Sequence, residues 1–142
     1  MADSNYSFVR FLAKFGAAGA VPATDKTGRA LTAAGNATVV ADGGALTGAY
    51  LTLDGTGDYV TTPGTTDLRL GAGDFCIDFG VKTTASNKCL LDHYDGSVTG
   101  WQVFLDSSGH VAWWNDTALK TGAVAVNDGN RHHVAIFRVG GT

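Results

Sequence analysis

The sequence contains no glutamate: all 13 of its acidic residues are aspartate. It also has only one glutamine, two prolines and two cysteines. Glutamate, glutamine and lysine commonly cover the exposed faces of helices, whereas aspartate and glycine are typical of turns. Since the chain holds 20 glycines beside its aspartates, the composition predicts an all-β protein.

Other absences exclude classes of partner. No stretch approaches the roughly 18 to 20 consecutive apolar residues of a membrane span, and Arg10 and Lys14 interrupt any apolar core of a secretory signal. The formal charge is only -3 and like charges do not cluster, so we expect neither nucleic acid nor a membrane as a partner. A chain of 142 residues, 44% of them hydrophobic, predicts a single domain over residues 1–142.

Period-two alternation is the main signal for structure, and it is clearest in "DFCIDFGVK". There Phe75, Ile77, Phe79 and Val81 alternate with polar or small residues, which predicts a half-buried strand. Shorter runs of this kind are "SFVRFLAKF", "AYLTL", "DYVTT", "KCLLDH", "GWQVFL", "HVAWWN" and "RHHVAIFRV". Turn signals between them predict an antiparallel sandwich or barrel, with residues 17–44 wrapped around one edge.

The two cysteines allow a geometric test. A hairpin between "DFCIDFGVK" and "KCLLDH", turning at "TTASN", would set Cys89 opposite Val81 and leave Cys76 about 16 Å away. A disulfide needs Cα atoms within about 7 Å. The sequence therefore predicts two free thiols, which suits a reducing cytoplasm.

Four motifs occur in an order that is typical of a known family of domains. They are "DKTGRALTAAGNATVV", "LTLDGTGDYVTTPGTTDLRLGAGDFCIDFGVK", "GWQVFLDSSGHVAWW" and "NDGNRHHVAIFRVGG". Together they resemble laminin G-like domains of the concanavalin A-like lectin and glucanase superfamily, although Arg131 stands where that family usually has tryptophan. The resemblance implies a jelly-roll sandwich of two antiparallel sheets. Family members normally continue through further hairpins, so we expect a sandwich that lacks its closing strands and is completed by a neighbouring subunit or by a longer chain.

The same resemblance bears on catalysis. Glucan-cleaving members of the superfamily use two glutamates, and a retaining glycosidase needs two carboxyls about 5 Å apart. This chain has no glutamate, and it lacks the nucleophile-elbow, P-loop and zinc-protease motifs. Because His132 and His133 are adjacent on a predicted strand, they point to opposite faces and cannot chelate one metal together. We expect a protein that is not an enzyme and has no cofactor.

Calcium is the exception that the resemblance leaves open, since such domains often hold one Ca²⁺ at a rim. Asp54 and Asp58 in "LDGTGDY" are the candidate ligands, with Asp92, Asp95 and Asp106 in other loops. The alternative is turn chemistry, because aspartate caps its own downstream amides and glycine supplies positive φ.

Aromatic residues are the remaining route to a ligand. Trp113 and Trp114 are neighbours on a predicted strand, so one faces the core and the other faces outward. Trp101 and Tyr94 flank the loop "YDGSVTG". Exposed rings beside polar groups are typical of sugar sites, whereas burial of all these rings under a second layer is the alternative.

Two functions follow as hypotheses. The first is a non-enzymatic structural or adhesion module of a bacteriophage virion, made in the host cytoplasm, that associates with other virion proteins or with copies of itself and binds surface glycan. Its basis is the resemblance, since small laminin G-like domains without export signals are common in phage virion genes. The second is a carbohydrate-binding module of a larger secreted protein, which would place the chain outside the cell.

Overall fold

The computed structural model describes residues 10–41, 48–64, 66–94, 100–115 and 117–140. In these ranges the chain is all-β, and its only helical segment is a single 3-10 turn at Thr66–Leu68. The strands are β1 Thr32–Ala34, β2 Thr38–Ala41, β3 Ala49–Thr52, β4 Tyr59–Thr61, β5 Phe75–Lys82, β6 Lys88–Asp92, β7 Trp101–Leu105, β8 His110–Asn115, β9 Ala118–Ala125 and β10 Arg131–Arg138. All pairings between them are antiparallel. No helix in this described part is long and apolar enough to cross a membrane.

The chain divides into two compact units, residues 1–65 and 66–142. In the first unit β1 pairs with β4 and β2 pairs with β3, and the apolar side chains of Leu31, Val39 and Ala49 are buried. Strands β1 and β2 lie within residues 17–44, which therefore contain strands of their own. That the whole chain is one domain stays a prediction.

The second unit is an antiparallel sandwich, which confirms the predicted fold class. Strands β6, β7, β8 and β9 form a four-stranded meander, and β5 pairs with β10. Val103, Leu105 and Trp113 from the meander share one buried core with Val134 of β10. Complete burial of a side chain such as Leu105 stabilises the fold by roughly 1.5–3 kcal/mol.

Strand β5 alternates as the sequence predicts. Phe75, Ile77, Phe79 and Val81 are half-buried and pack against the core, while the residues between them are exposed. Its partner β10 matches this pattern, because the register sets Val134 opposite Phe79. Directly opposite residues share a face of the sheet, so both strands present their apolar sides to the same core.

The predicted hairpin between β5 and β6 is wrong. The two strands belong to different sheets, since β5 pairs with β10 and β6 pairs with β7. In the connection, the Gly129 N–H donates to the Thr83 carbonyl and the Asn87 N–H donates to the Asp106 carbonyl. Asn87 also adopts a left-handed φ of 53°, so the segment carries the chain from one sheet to the other. Both cysteines are nevertheless free, as expected, and both are exposed.

Strand prediction failed in two further places. Residues 10–15 of the run "SFVRFLAKF" form no strand, although their apolar residues alternate. Conversely, β9 was not predicted because "ALKTGAVA" has little alternation and its residues are almost all exposed. Its strand conformation comes from pairing with β8 and illustrates how neighbouring strands override local pattern.

Arg138 stabilises one end of the sheet formed by β5 and β10. Its guanidinium donates to the carbonyls of Leu70, Gly71 and Gly73, and it lies over the Phe75 ring at 5.0 Å from the centroid. These contacts tie the end of β10 to the loop that leads into β5.

Candidate functional site

Four residues form a line across the outer face of the meander. Asp92 lies opposite Gln102, Gln102 lies opposite Trp114, and Trp114 lies opposite Leu119. Because directly opposite residues of antiparallel strands share a face, all four side chains stand on the same side of the sheet. We call this line the Trp114 row; it spans three inter-strand spacings, or about 14 Å.

The Trp114 row contains polar groups that lack a hydrogen-bond partner among the described residues. Among the described residues, the Gln102 side-chain amide and the Trp114 indole N–H have no hydrogen-bond partner, and neither is buried without access to solvent. Asp92 uses one carboxylate oxygen, Oδ1, to accept the Tyr94 backbone N–H at 2.7 Å. Its Oδ2 has no hydrogen-bond donor among the described residues. The row thus combines a half-buried aromatic ring with donors and acceptors on adjacent strands.

Tyr94 completes this surface. Its ring meets the Trp114 ring in a T-shaped contact with centroids 5.2 Å apart, and the residue is 43% exposed. Leu119, at 58% exposure, bounds the other side of Trp114. The indole is therefore held between two neighbours while one part of it remains open to solvent.

The other two tryptophans lie on the opposite face of the meander. Trp113 is buried in the core against Phe75, with ring centroids 5.6 Å apart, so its ring offers no surface to an external ligand. Trp101 is half-buried against the same core, donates its indole N–H to the Leu68 carbonyl and stacks on His93. Of the four aromatic residues predicted from the sequence, the structure brings together only Trp114 and Tyr94.

Asp54 and Asp58, the predicted calcium ligands, act within turns of the first unit. Asp58 accepts the backbone N–H groups of Asn36 and Asp54 on its two oxygens. Asp54 accepts the Thr56 N–H and the Asn36 side-chain amide. The pKa of Asp58 lies below its usual value, and the main cause is the hydrogen bond from the backbone N–H of Asp54. All four carboxylate oxygens thus have hydrogen-bond donors, as the turn alternative predicts.

Asp92 and Asp106, the other described carboxylates of the calcium hypothesis, take part in separate contacts. Asp92 belongs to the Trp114 row, Asp106 accepts the N–H groups of Ser108 and His110, and Asp95 lies outside the described residues. No group of three or more His, Cys, Asp or Glu side chains in the described ranges is placed to hold a metal ion.

The adjacent histidines point to opposite faces, as predicted. His132 is half-buried and its Nε2 lies 2.8 Å from Asp128, whereas His133 is exposed and its Nε2 lies 2.9 Å from Asp78. The side chains of Asn130 and His132 hold the pKa of Asp128 well below its usual range.

Sequence reasoning missed two residues. Gln102 could have been found, since a hairpin centred on "DSSG" sets it opposite Trp114. Asp25, in the first unit, is the one buried charged residue among those described. Burial raises its pKa, but hydrogen bonds from the N–H groups of Leu12, Arg29 and Thr27 and from the Thr27 hydroxyl outweigh that effect and lower the pKa. The "TDKTG" turn was its only signal in the sequence.

Comparisons with protein-family models, with curated proteins and with solved structures gave no match. The laminin G-like resemblance therefore stays a prediction from the motifs, and the function rests on the geometry of the Trp114 row.

Proposed function

We propose that this chain is a non-enzymatic adhesion module that binds a saccharide on the Trp114 row. The observation that carries the proposal is the register of three strands, which sets Asp92, Gln102 and Trp114 side by side on one face. A sugar has an apolar ring face and a rim of hydroxyls. Trp114 offers a surface for the first, and the unused groups of Gln102 and Asp92 offer hydrogen bonds to the second.

The length of the Trp114 row supports an oligosaccharide as ligand. At about 14 Å it is longer than a single pyranose ring, and it stays open along its edge at Leu119, which is 58% exposed. A row of side chains on an open sheet face suits a chain of sugars that lies across the strands. It suits reversible adhesion better than enclosure of one small molecule.

Carboxylate chemistry supports the absence of catalysis in the proposal. A glycosidase general acid needs a raised pKa. Every described aspartate with a shifted pKa has it lowered, because protein donors stabilise its charged form; these residues are Asp25, Asp58, Asp106 and Asp128. Such groups stay ionised and are poor proton donors.

A bacteriophage virion is the setting we propose for this module, where it would contact other virion proteins or copies of itself. The support is the motif resemblance, which is an argument by analogy, together with exposed strand residues such as Val124 on β9 and Phe137 on β10. The second candidate, a carbohydrate-binding module of a larger secreted protein, rests on the same Trp114 row. Mass spectrometry of purified particles distinguishes the two, since only the first places the chain in a virion.

Glycan-array binding tests the saccharide proposal. We expect the protein to bind at least one oligosaccharide class and Trp114→Ala to lose that binding. Phe137→Ala is the matched control, because it removes an aromatic ring that is 68% exposed on the other sheet of the same unit. Binding that survives Trp114→Ala, or that Phe137→Ala abolishes equally, would refute the proposal.

A further inference from the structure

In the described part of the meander, the outer face carries no lysine or arginine. Along the Trp114 row the single acidic or basic side chain is that of Asp92. The next cross-strand line on the same face contains Cys89, Phe104, Ala112 and Thr121, none of them cationic. Among the described residues of these two lines, the Asp92 carboxylate therefore has no cationic side chain beside it.

The nearest lysines on these strands belong to the other face. Lys120 lies opposite Trp113, and Lys88 lies opposite Leu105. Both partners point into the core, so the register assigns the two lysines to the core side of the sheet. His110 lies at the far end of the outer face, where its Nδ1 is 3.3 Å from Oδ2 of Asp106.

The Asp92 carboxylate is held in place close to the proposed sugar position. Its Oδ1 accepts the Tyr94 backbone N–H. Gln102 lies directly opposite on the neighbouring strand, where the two Cβ atoms are about 5 Å apart. A sugar stacked on Trp114 and bonded to Gln102 would lie beside the carboxylate. There Oδ2 can accept a hydrogen bond from a hydroxyl, but it repels a carboxylate or sulfate.

We propose that the Trp114 row selects neutral saccharides and rejects anionic ones such as uronates and sialylated or sulfated glycans. This inference rests on the proposed saccharide function and adds the class of ligand. Two like charges about 6 Å apart repel enough to weaken binding roughly threefold at the dielectric constant of water and roughly a hundredfold at the lower value typical near a protein surface. Salt should reduce that penalty, since exposed charges are screened over about 10 Å at 0.1 M ionic strength.

The test compares matched oligosaccharides that differ in one group, glucosides against glucuronides and galactosides against galacturonides. We expect the wild type to bind the neutral member at least about threefold more tightly, with a smaller difference at high salt. Asp92→Asn keeps the side-chain shape and the acceptor for the Tyr94 N–H, and we expect it to bring the two affinities within about twofold. Asp92→Lys should favour the uronate.

Asp78→Asn is the control, because Asp78 lies on β5 in the other sheet, with its side chain 58% exposed, and should leave the preference unchanged. Equal or tighter wild-type binding of the uronates overturns the inference while the saccharide function stands, provided that Trp114→Ala still abolishes binding. A preference that Asp92→Asn does not change also overturns it. If no oligosaccharide binds at all, the proposed function fails and this inference fails with it.

Discussion

The Tyr94 ring meets the Trp114 ring edge-on, with ring planes inclined at 70° and centroids 5.2 Å apart. This contact adds to the neighbours that the register places on the two flanks of Trp114, which are Gln102 and Leu119. Such edge-to-face pairs contribute about 0.5–1.5 kcal/mol beyond the area that they bury.

Tyr94→Ala should therefore weaken saccharide binding without abolishing it, because the ring orients Trp114 and enlarges the contact surface. We expect a loss of roughly threefold to tenfold in affinity, which corresponds to the energy of one such pair. Tyr94→Phe keeps the ring and should bind nearly as the wild type does. Titration calorimetry checks both variants, and an unchanged affinity for Tyr94→Ala would argue that the tyrosine stands outside the site.

Trp113 and Trp114 should respond very differently to truncation. Trp113→Ala empties part of the core and should lower the free energy of unfolding of the second unit by about 3–5 kcal/mol. Trp114→Ala removes a half-exposed ring from the outer face and should cost less than about 2 kcal/mol. Urea denaturation followed by circular dichroism measures both, and equal costs would contradict the assignment of the two rings to opposite faces.

The Trp113 indole N–H is buried and lacks a hydrogen-bond partner among the described residues. Trp113→Phe removes this unsatisfied donor while it keeps an aromatic ring against Phe75. We expect it to be clearly milder than Trp113→Ala, because relief of a buried unpaired N–H offsets part of the lost packing. The same denaturation experiment compares the two variants.

Asp25 should contribute strongly to the stability of the first unit. Its carboxylate accepts the backbone N–H groups of Leu12, Thr27 and Arg29. Asp25→Asn turns one acceptor oxygen into a donor and leaves at least one buried N–H unpaired, which should cost about 1–3 kcal/mol. Hydrogen exchange at the Leu12 and Arg29 amides is the direct measurement, and faster exchange is expected.

The control for Asp25 is an exposed aspartate of the same unit. Asp54→Asn changes a carboxylate in an exposed turn, and we expect little change in exchange at Leu12 and Arg29. If both variants accelerate exchange equally, burial of Asp25 is not what stabilises the segment.

Acid should destabilise the protein through its lowered carboxyl pKa values. The Asn130 and His132 side chains lower the pKa of Asp128, so its contribution to stability is complete above the unfolded-state value of about 3.9 and is lost as pH falls toward the folded-state value. The melting temperature should therefore decline below about pH 4. Asp128→Asn should lie below the wild type at pH 6, and the gap should narrow on acidification.

Calcium should leave the first unit unaffected, because Asp54 and Asp58 already have protein donors on every carboxylate oxygen. We expect the same melting temperature in millimolar Ca²⁺ and in chelator. A ligand that binds only the folded state raises the melting temperature, so a Ca²⁺-dependent rise that Asp58→Asn abolishes would revive the metal site.

The sequence predicted local features well and strand partners poorly. The period of a strand explains the alternation of β5 and the opposite faces of Trp113 and Trp114. The chemistry of turns explains the turns at aspartate and glycine. By contrast, "TTASN" has the composition of a hairpin turn, and nothing in its residues shows that the chain passes to another sheet there. Partner choice depends on which distant strand offers a matching apolar face, as β10 does for β5.

In the candidate site too, single residues are predicted from the sequence whereas their grouping across strands is not. Tyr94 is predicted because it flanks a loop, and Trp114 is predicted because one of two adjacent strand residues faces outward. Their grouping with Gln102 and Asp92 depended on register, including the shift between Cys89 and Leu91 on β6. A bulge of this kind moves a residue to the other face, and the composition of β6 does not signal it.

The pairing of β5 with β10 also bears on how the second unit is made. Lys82 lies opposite Arg131 and Phe75 lies opposite Arg138, so the two strands meet only after the whole meander has been synthesised between them. Contacts between such distant parts of a chain slow folding. On a ribosome, the apolar face of β5 would stay uncovered until β10 emerges, and an exposed apolar strand of this kind is prone to aggregate during synthesis.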